Sequence, residues 1–396
     1  MLALLLCWTN ANVTLATEGD LLRVESTLKR MSPLRYWHPS PYSADDLLLV
    51  DVADDKSVQL DTLKAKNTLI TDPRLLDTVL RRIAAAGGYR FILCDLSFDI
   101  PTPYDDTLLR TLYATPAMGF PVERGYSKDP HIRPLEALPG GVVHYDLTES
   151  WWKLSDKLVK FQLRDATGEK SLPLYMAEQV HGPGIAGRGL FRIGNLTFDA
   201  SVQPDDLRRK NGASAIYTLS DLKTLTQYNS LAETKDLIRN KFILIGDFSN
   251  DLHKTAFGDM PGVLILFDIF ATITDGGNAV TGGWLAFLLV CFTVISWLTF
   301  FRQGSPPFLH RLKAVAEVLM GEVGGTLLLN WAALWTVSIL SYFIFNKSTE
   351  VIALTFYLSF VDYLRYLWLE KDAFFKQKKK DLKSWFRFIF KVKPSM

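Results

Sequence analysis

Three aspartates stand where an apolar run stops. Asp51 closes LLLVD, Asp95 follows FILC and Asp247 follows FILIG. If those runs are parallel strands, the three carboxylates share the carboxyl edge of one sheet, where open α/β sheets bind ligands. Carboxylates gathered there can hold a Mg²⁺ or a cationic ligand. Acids in strand-to-helix turns have a second use, since they also cap helices and accept loop N–H groups. Asp251 and His253 lie two apart in GDFSNDLHKTAFGDMPG. They add a carboxylate and an imidazole that a metal can share, although a solvated or hydrogen-bonded histidine fits the same spacing. The residues leave open whether any metal is involved.

Catalytic signatures are missing around these acids. The chain has no G-x-S-x-G, no H-E-x-x-H and no G-x-x-x-x-G-K-[ST]. DVADD (Asp51 to Asp55) resembles an acidic phosphatase loop only loosely. HGPGIAGRG (His181 to Gly189) follows a helix pattern and precedes a strand pattern, the reverse of what a phosphate cradle needs. The expectation is a non-enzyme without a cofactor. Cys7, Cys94 and Cys291 form no C-x-x-C and read as small hydrophobes. A net charge of +2 over 396 residues gives no reason to expect a nucleic-acid partner.

The elements that must position the acids alternate strand and helix patterns. LLLVDV is followed by DPRLLDTVLRRIAAAGG, whose Leu75, Leu76, Val79, Leu80 and Ile83 share a helical face. Asp72 suits its N-cap, Pro73 its first turn and Gly87 its end. FILCDLSF then precedes a helix over DDTLLRTLYA and a strand at PAMGF. GGVVHYDL and GLFRIGNLTF read as strands around a helix in SLPLYMAEQV. FILIGDF is the last strand and PGVLILFDIFATITD the last helix. This rhythm predicts one mostly parallel α/β domain over residues 42–277. Residues 124–138 and 204–213 stay unassigned.

Beyond it the chain turns apolar. Residues 284–301, 324–345 and 351–369 each have about the twenty residues that span a bilayer. The link 302–323 carries Arg302, Arg311 and Lys313, the turn 346–350 is nearly neutral, and the tail 370–396 is basic. Basic flanks stay inside, so the α/β domain lies outside. The tail mixes Lys with Trp385, Phe386, Phe388 and Phe390, which suits anionic membrane lipid. Gly321 and Gly325 form a G-x-x-x-G that permits helix packing and a homodimer. Asp362 and Arg365 lie three apart and can pair on one helix face. Residues 1–20, opening MLALLLCW, read as a truncated signal or anchor-like segment.

Taken together, LLLVDVADDKS, DPRLLDTVLRRIAAAGGYRFILCDLSFD and NKFILIGDFSNDLHKTAFGDMPGV running into FDIFATITDGG resemble the second type of CHASE domain. That family is the extracellular sensory module associated with bacterial cyclases and histidine kinases, followed by consecutive membrane helices. The resemblance implies a multi-pass protein of the bacterial inner membrane with a sensory domain outside. Family members usually carry an enzymatic output domain after the helices. This chain ends at Met396 without one, so the resemblance implies signalling through a cytoplasmic or membrane partner. Two departures bear on the ligand: Ala256 follows Thr255 where the family often has Pro, and Leu266 stands where it often has His. A scaffold role in an envelope complex and, more remotely, a metal-dependent hydrolase using Asp51, Asp95 and Asp247 remain open.

Overall fold

A computed structural model describes residues 18–31, 41–61, 66–96, 98, 100, 102–122, 139–143, 157–165, 167–185, 191–192, 195–197, 200, 202, 216–277, 279–300 and 331–347. Helix α1 (Glu18–Met31) comes first. Strand β1 (Leu47–Asp51), the hairpin β2 (Lys56–Asp61) and β3 (Lys66–Thr71), and α2 (Pro73–Ala86) follow. Then come β4 (Phe91–Cys94), α3 (Asp105–Ala114), β5 (Met118–Pro121), β6 (Gly140–Gly141), β7 (Lys160–Gln162), α4 (Leu172–His181), β8 (Phe191–Arg192) and β9 (Asn195–Thr197). The last part holds β10 (Ile216–Thr218), α5 (Leu219–Tyr228), α6 (Leu231–Ile238), β11 (Phe242–Gly246), β12 (Leu252–Thr255), β13 (Gly258–Pro261), α7 (Gly262–Thr274), β14 (Ala279–Val280) and α8 (Gly282–Phe300).

Six strands form one parallel sheet in the order β10-β1-β11-β4-β5-β6. Both faces are covered, which is why its central strands read as unbroken apolar runs. Successive strand residues point to opposite faces. Phe242 and Leu244 of β11, with Leu47, Leu49, Phe91 and Leu93, meet α4 and α7 on one face. Ile243 and Ile245, with Leu48, Val50, Ile92 and Cys94, meet α2, α3, α5 and α6 on the other. Cys94 is thus a buried core residue.

The capping chemistry read in the sequence is present. The Asp72 side chain accepts from the amides of Arg74 (2.9 Å) and Leu75 (3.3 Å), Pro73 opens α2, and Gly87 closes it at φ 59°. Two features were not anticipated. Leu219 to Ile238 forms two helices, α5 and α6, each begun by a capping box. Residues 252–261, read as a loop, form the antiparallel hairpin β12–β13. The unassigned residues 124–138 and 204–213 lie outside the described residues.

The helix α7 ends where glycine begins. Gly276 sits at φ 77° and its amide bonds to the Ile273 carbonyl, while the Gly277 amide bonds to the Thr272 carbonyl. This paired pattern is a Schellman ending, which requires a left-handed residue. The chain then makes β14, paired with β8, before α8 starts at Gly282, so α7 and α8 are not one helix. By contacts the chain divides into two compact units, Met1–Leu285 with Ser341–Ser348, and Ala286–Leu340 with Thr349–Met396. Among the described residues no helix is long and apolar enough to cross a membrane. The side chains of α8 are described only as far as Ile295, and the expected spans 324–345 and 351–369 lie partly or wholly outside the described residues, as do Gly321, Gly325, Asp362 and Arg365.

Close approach of β11 to α7 depends on Gly246. A Cβ there would stand 2.9 Å from Cβ and Cγ1 of Val263, inside contact distance. Gly246→Ala is expected to destabilise the domain by about 1–3 kcal/mol through overpacking. Thermal unfolding should show this as a midpoint lowered by roughly 2–10 °C.

Candidate functional site

The connections out of the sheet set the site. The chains leaving β1 and β4 lead to α2 and α3 on one face, whereas the chain leaving β11, which lies between them, leads to α7 on the other. Neighbouring connections therefore diverge at the carboxyl end of β11. Such a divergence opens a crevice outside the strand ends, the usual ligand position in open α/β sheets. Asp51, Asp95 and Asp247 all stand along this edge, Asp51 in register with Gly246.

The five candidate residues fall into two groups with different roles. Asp51 and Asp247 hold the chain after β11. Asp51 Oδ1 accepts from the amides of Ala53 (2.9 Å) and Phe248 (3.1 Å). Asp247 Oδ1 accepts from the amides of Asn250 (2.8 Å) and Ser249 (3.1 Å), and Lys56 Nζ donates to its Oδ2 at 3.0 Å. Partial burial works to raise the Asp247 carboxyl. The hydrogen bonds from Asn250, Lys56 and Ser249 outweigh it and hold the group below its ordinary value. These two aspartates thus do the loop-stapling work that strand-to-helix turns ask of acids.

Asp95, Asp251 and His253 form the second group, at the start of α7. The Asp251 carbonyl accepts the Gly262 amide at 3.0 Å, and its Oδ1 lies 3.0 Å from Nε2 of His253. A Cβ on Gly262 would stand 2.3 Å from Oδ2 of Asp251 and 2.9 Å from Oδ2 of Asp95. Both carboxylates therefore crowd the bare first residue of α7, where the helix dipole favours negative charge. Asp95 keeps some surface open to solvent, but protein atoms ring its carboxyl closely. Burial pushes its pKa up to about 7; the Asp251 charge adds to the rise and His253 opposes it. Asp251 and His253 are each about half exposed, at 45 and 49 % of side-chain area. His253 sits on β12, opposite Met260 on β13.

This partition departs from the simplest reading of three equivalent acids. Among the described residues no group of three or more His, Cys, Asp or Glu is placed to hold a metal ion. Sequence reasoning missed Lys56 and Gly262 as members of the site. DDKS gives no hint that Lys56 reaches Asp247, far along the chain. The Pro261-Gly262 pair was visible, but its glycine read only as a helix start.

A family model for the CHASE2 domain matches residues 2–301. The chain belongs to the CHASE2 domain family. CHASE2 is a family of extracellular sensory domains. No curated protein and no solved structure matches this chain. In this CHASE2 domain the strand, hairpin and helix over residues 242–274 bring Asp247, Asp251, His253 and Gly262 to the edge, where they meet Asp51 from β1 and Asp95 from the end of β4.

The raised Asp95 pKa fixes a direction for stability. A carboxyl raised above its unfolded value contributes stability that is complete below that value, near 3.8, and is lost as pH rises through about 7. Asp247, held low, contributes stability that is present above its ordinary value and lost only as pH falls through its lowered pKa. The wild-type midpoint should therefore fall between pH 5 and pH 8. In Asp95→Asn that fall should shrink by an amount on the order of 1–2 kcal/mol, after allowance for solvent screening. Equal slopes in the two proteins, measured by thermal unfolding across this range, would contradict the assignment.

Proposed function

We propose that this CHASE2 domain senses a small ligand at the carboxyl edge of its sheet and passes its state along α7 to a signalling partner. The observation that carries the reading is the Asp95–Asp251–His253 group at the first residue of α7, on the edge where the strand connections diverge. A cationic or proton-donating ligand suits this group, because it would relieve the repulsion between two adjacent carboxylates. Asp51 and Asp247 serve the site by holding its rim. The hydrolase alternative draws little support from this arrangement, since Asp51 and Asp247 are engaged by loop amides and by Lys56.

The reading includes membrane attachment through residues 284–301, 324–345 and 351–369, with the sensory domain outside and the basic tail inside. Several features support it. No charged residue interrupts α8, and its Leu289, Val290 and Val294 are exposed. The basic residues lie in the link 302–323 and the tail 370–396. Dimerisation through Gly321 and Gly325 would let two domains share one output.

Thiol labelling checks the arrangement. In a background with Cys7, Cys94 and Cys291 replaced by Ala, an impermeant maleimide should label Ser127→Cys in intact spheroplasts. Ser384→Cys should react only after lysis. Labelling of Ser384→Cys but not Ser127→Cys before lysis would reverse the orientation and remove the external sensor.

A further inference from the structure

The far end of α7 carries a second polar assembly, and it involves chain from well beyond the sensory domain. Residues 331–345 are helical and are followed by Asn346 in a left-handed conformation, φ 55°. Asn346 Nδ2 donates to Asp275 Oδ2 at 2.7 Å, at the residue that caps α7. Lys347 Nζ lies 2.9 Å from the Gly277 carbonyl and 3.4 Å from that of Gly276, the two glycines of the Schellman ending. A cation there also complements the negative end of the helix dipole.

The same turn grips the start of α8. Lys347 Nζ stands 5.6 Å from the ring centroid of Trp284, the third residue of α8. The buried Trp284 Nε1 donates to Ser341 Oγ at 2.8 Å, and the Ser341 hydroxyl donates to the Lys347 carbonyl at 2.7 Å. Donor and acceptor sides of one hydroxyl thus close a ring through Trp284, Ser341 and Lys347. From α1, Lys29 Nζ donates to Asn346 Oδ1 at 2.5 Å and stands 5.0 Å from the Tyr342 ring centroid.

The covalent connection between α7 and α8 is short. It holds Gly276 and Gly277, and its strand β14 pairs with β8 over two residues. Glycine-rich backbone resists displacement poorly.

We propose that residues 341–347 act as a strap that fixes the end of α7 to the start of α8, so that the strap, rather than the glycine link, transmits movement of α7. The transmitting role rests on the reading of α7 given above; the strap itself does not.

Hydrogen exchange on the full chain in detergent micelles, read by mass spectrometry, separates the two. Lys347→Met combined with Asn346→Ala should speed exchange of the peptide covering residues 275–281 at least tenfold, while peptides from β4 and β11 stay as in wild type. Lys347→Arg, which keeps a cationic donor, should restore most of the protection. Exchange at residues 275–281 within twofold of wild type in the double variant would overturn the strap. So would equal acceleration in β4 and β11, which would mean a general loss of fold. Asp95→Asn, at the opposite end of α7, tests the reading beneath it. If the double variant opens the corner but Asp95→Asn leaves residues 275–281 unchanged, the strap stands and transmission along α7 fails.

Discussion

α7 has no side turned to water. Every residue from Gly262 to Ile273 is buried, including Asp268 and Thr272. A helix apolar on all sides has to be enclosed by protein. Here β11, β4 and α4 supply that enclosure, with Phe267 and Phe270 packed among Phe242, Tyr42 and His181. Even its carboxylate is absorbed, as Asp268 Oδ1 accepts the Val202 amide at 2.9 Å. A rod so enclosed can report to solvent only at its ends, and each end carries a polar assembly, Asp95 with Asp251 and His253 at the first and Asp275 with Asn346 and Lys347 at the other.

At the first end, geometry separates acids that look alike in one dimension. Asp247 is surrounded by donors and held below its ordinary value; Asp95 is pushed up to about 7 by burial first and by the adjacent Asp251 charge second. The hairpin β12–β13 adds to the difference that burial sets. It brings Asp251 and His253 back over the end of β4 while leaving Asp247 on the loop it staples. Gly262 makes room for both carboxylates, and any side chain there would displace them. Opposing pKa shifts on neighbouring acids are a physical mark of divided roles.

Much of this was legible in the sequence. The strands β1, β4, β5 and β11 announced themselves as short apolar runs. Asp72, Pro73 and Gly87 bounded α2 because capping and backbone strain are local properties. Local signals also existed where they were overlooked: Thr218 with Asp221 and Ser230 with Glu233 are capping boxes, but the apolar spacing of α5 and α6 is sparse. α1 hid for a similar reason, since its buried side is Leu22, Glu25 and Ser26, not a run of hydrophobes. Strand order was out of reach, because only tertiary pairing places β11 between β1 and β4. For the same reason the five candidate site residues could be named but not divided. The links from Lys56 to Asp247 and from Lys347 to Gly277 join residues whose separation no local rule spans.

The account depends on Asp95, Asp251 and His253 behaving as one electrostatic unit at the head of α7. Infrared difference spectroscopy can follow the Asp95 carboxyl stretch directly through a pH titration, with Asp95→Asn identifying the band. The account predicts protonation near pH 7 in the wild-type chain, shifting lower in Asp251→Asn, where the adjacent negative charge is gone. An Asp95 band that titrates near the ordinary aspartate value of about 3.9, and ignores Asp251→Asn, would contradict it.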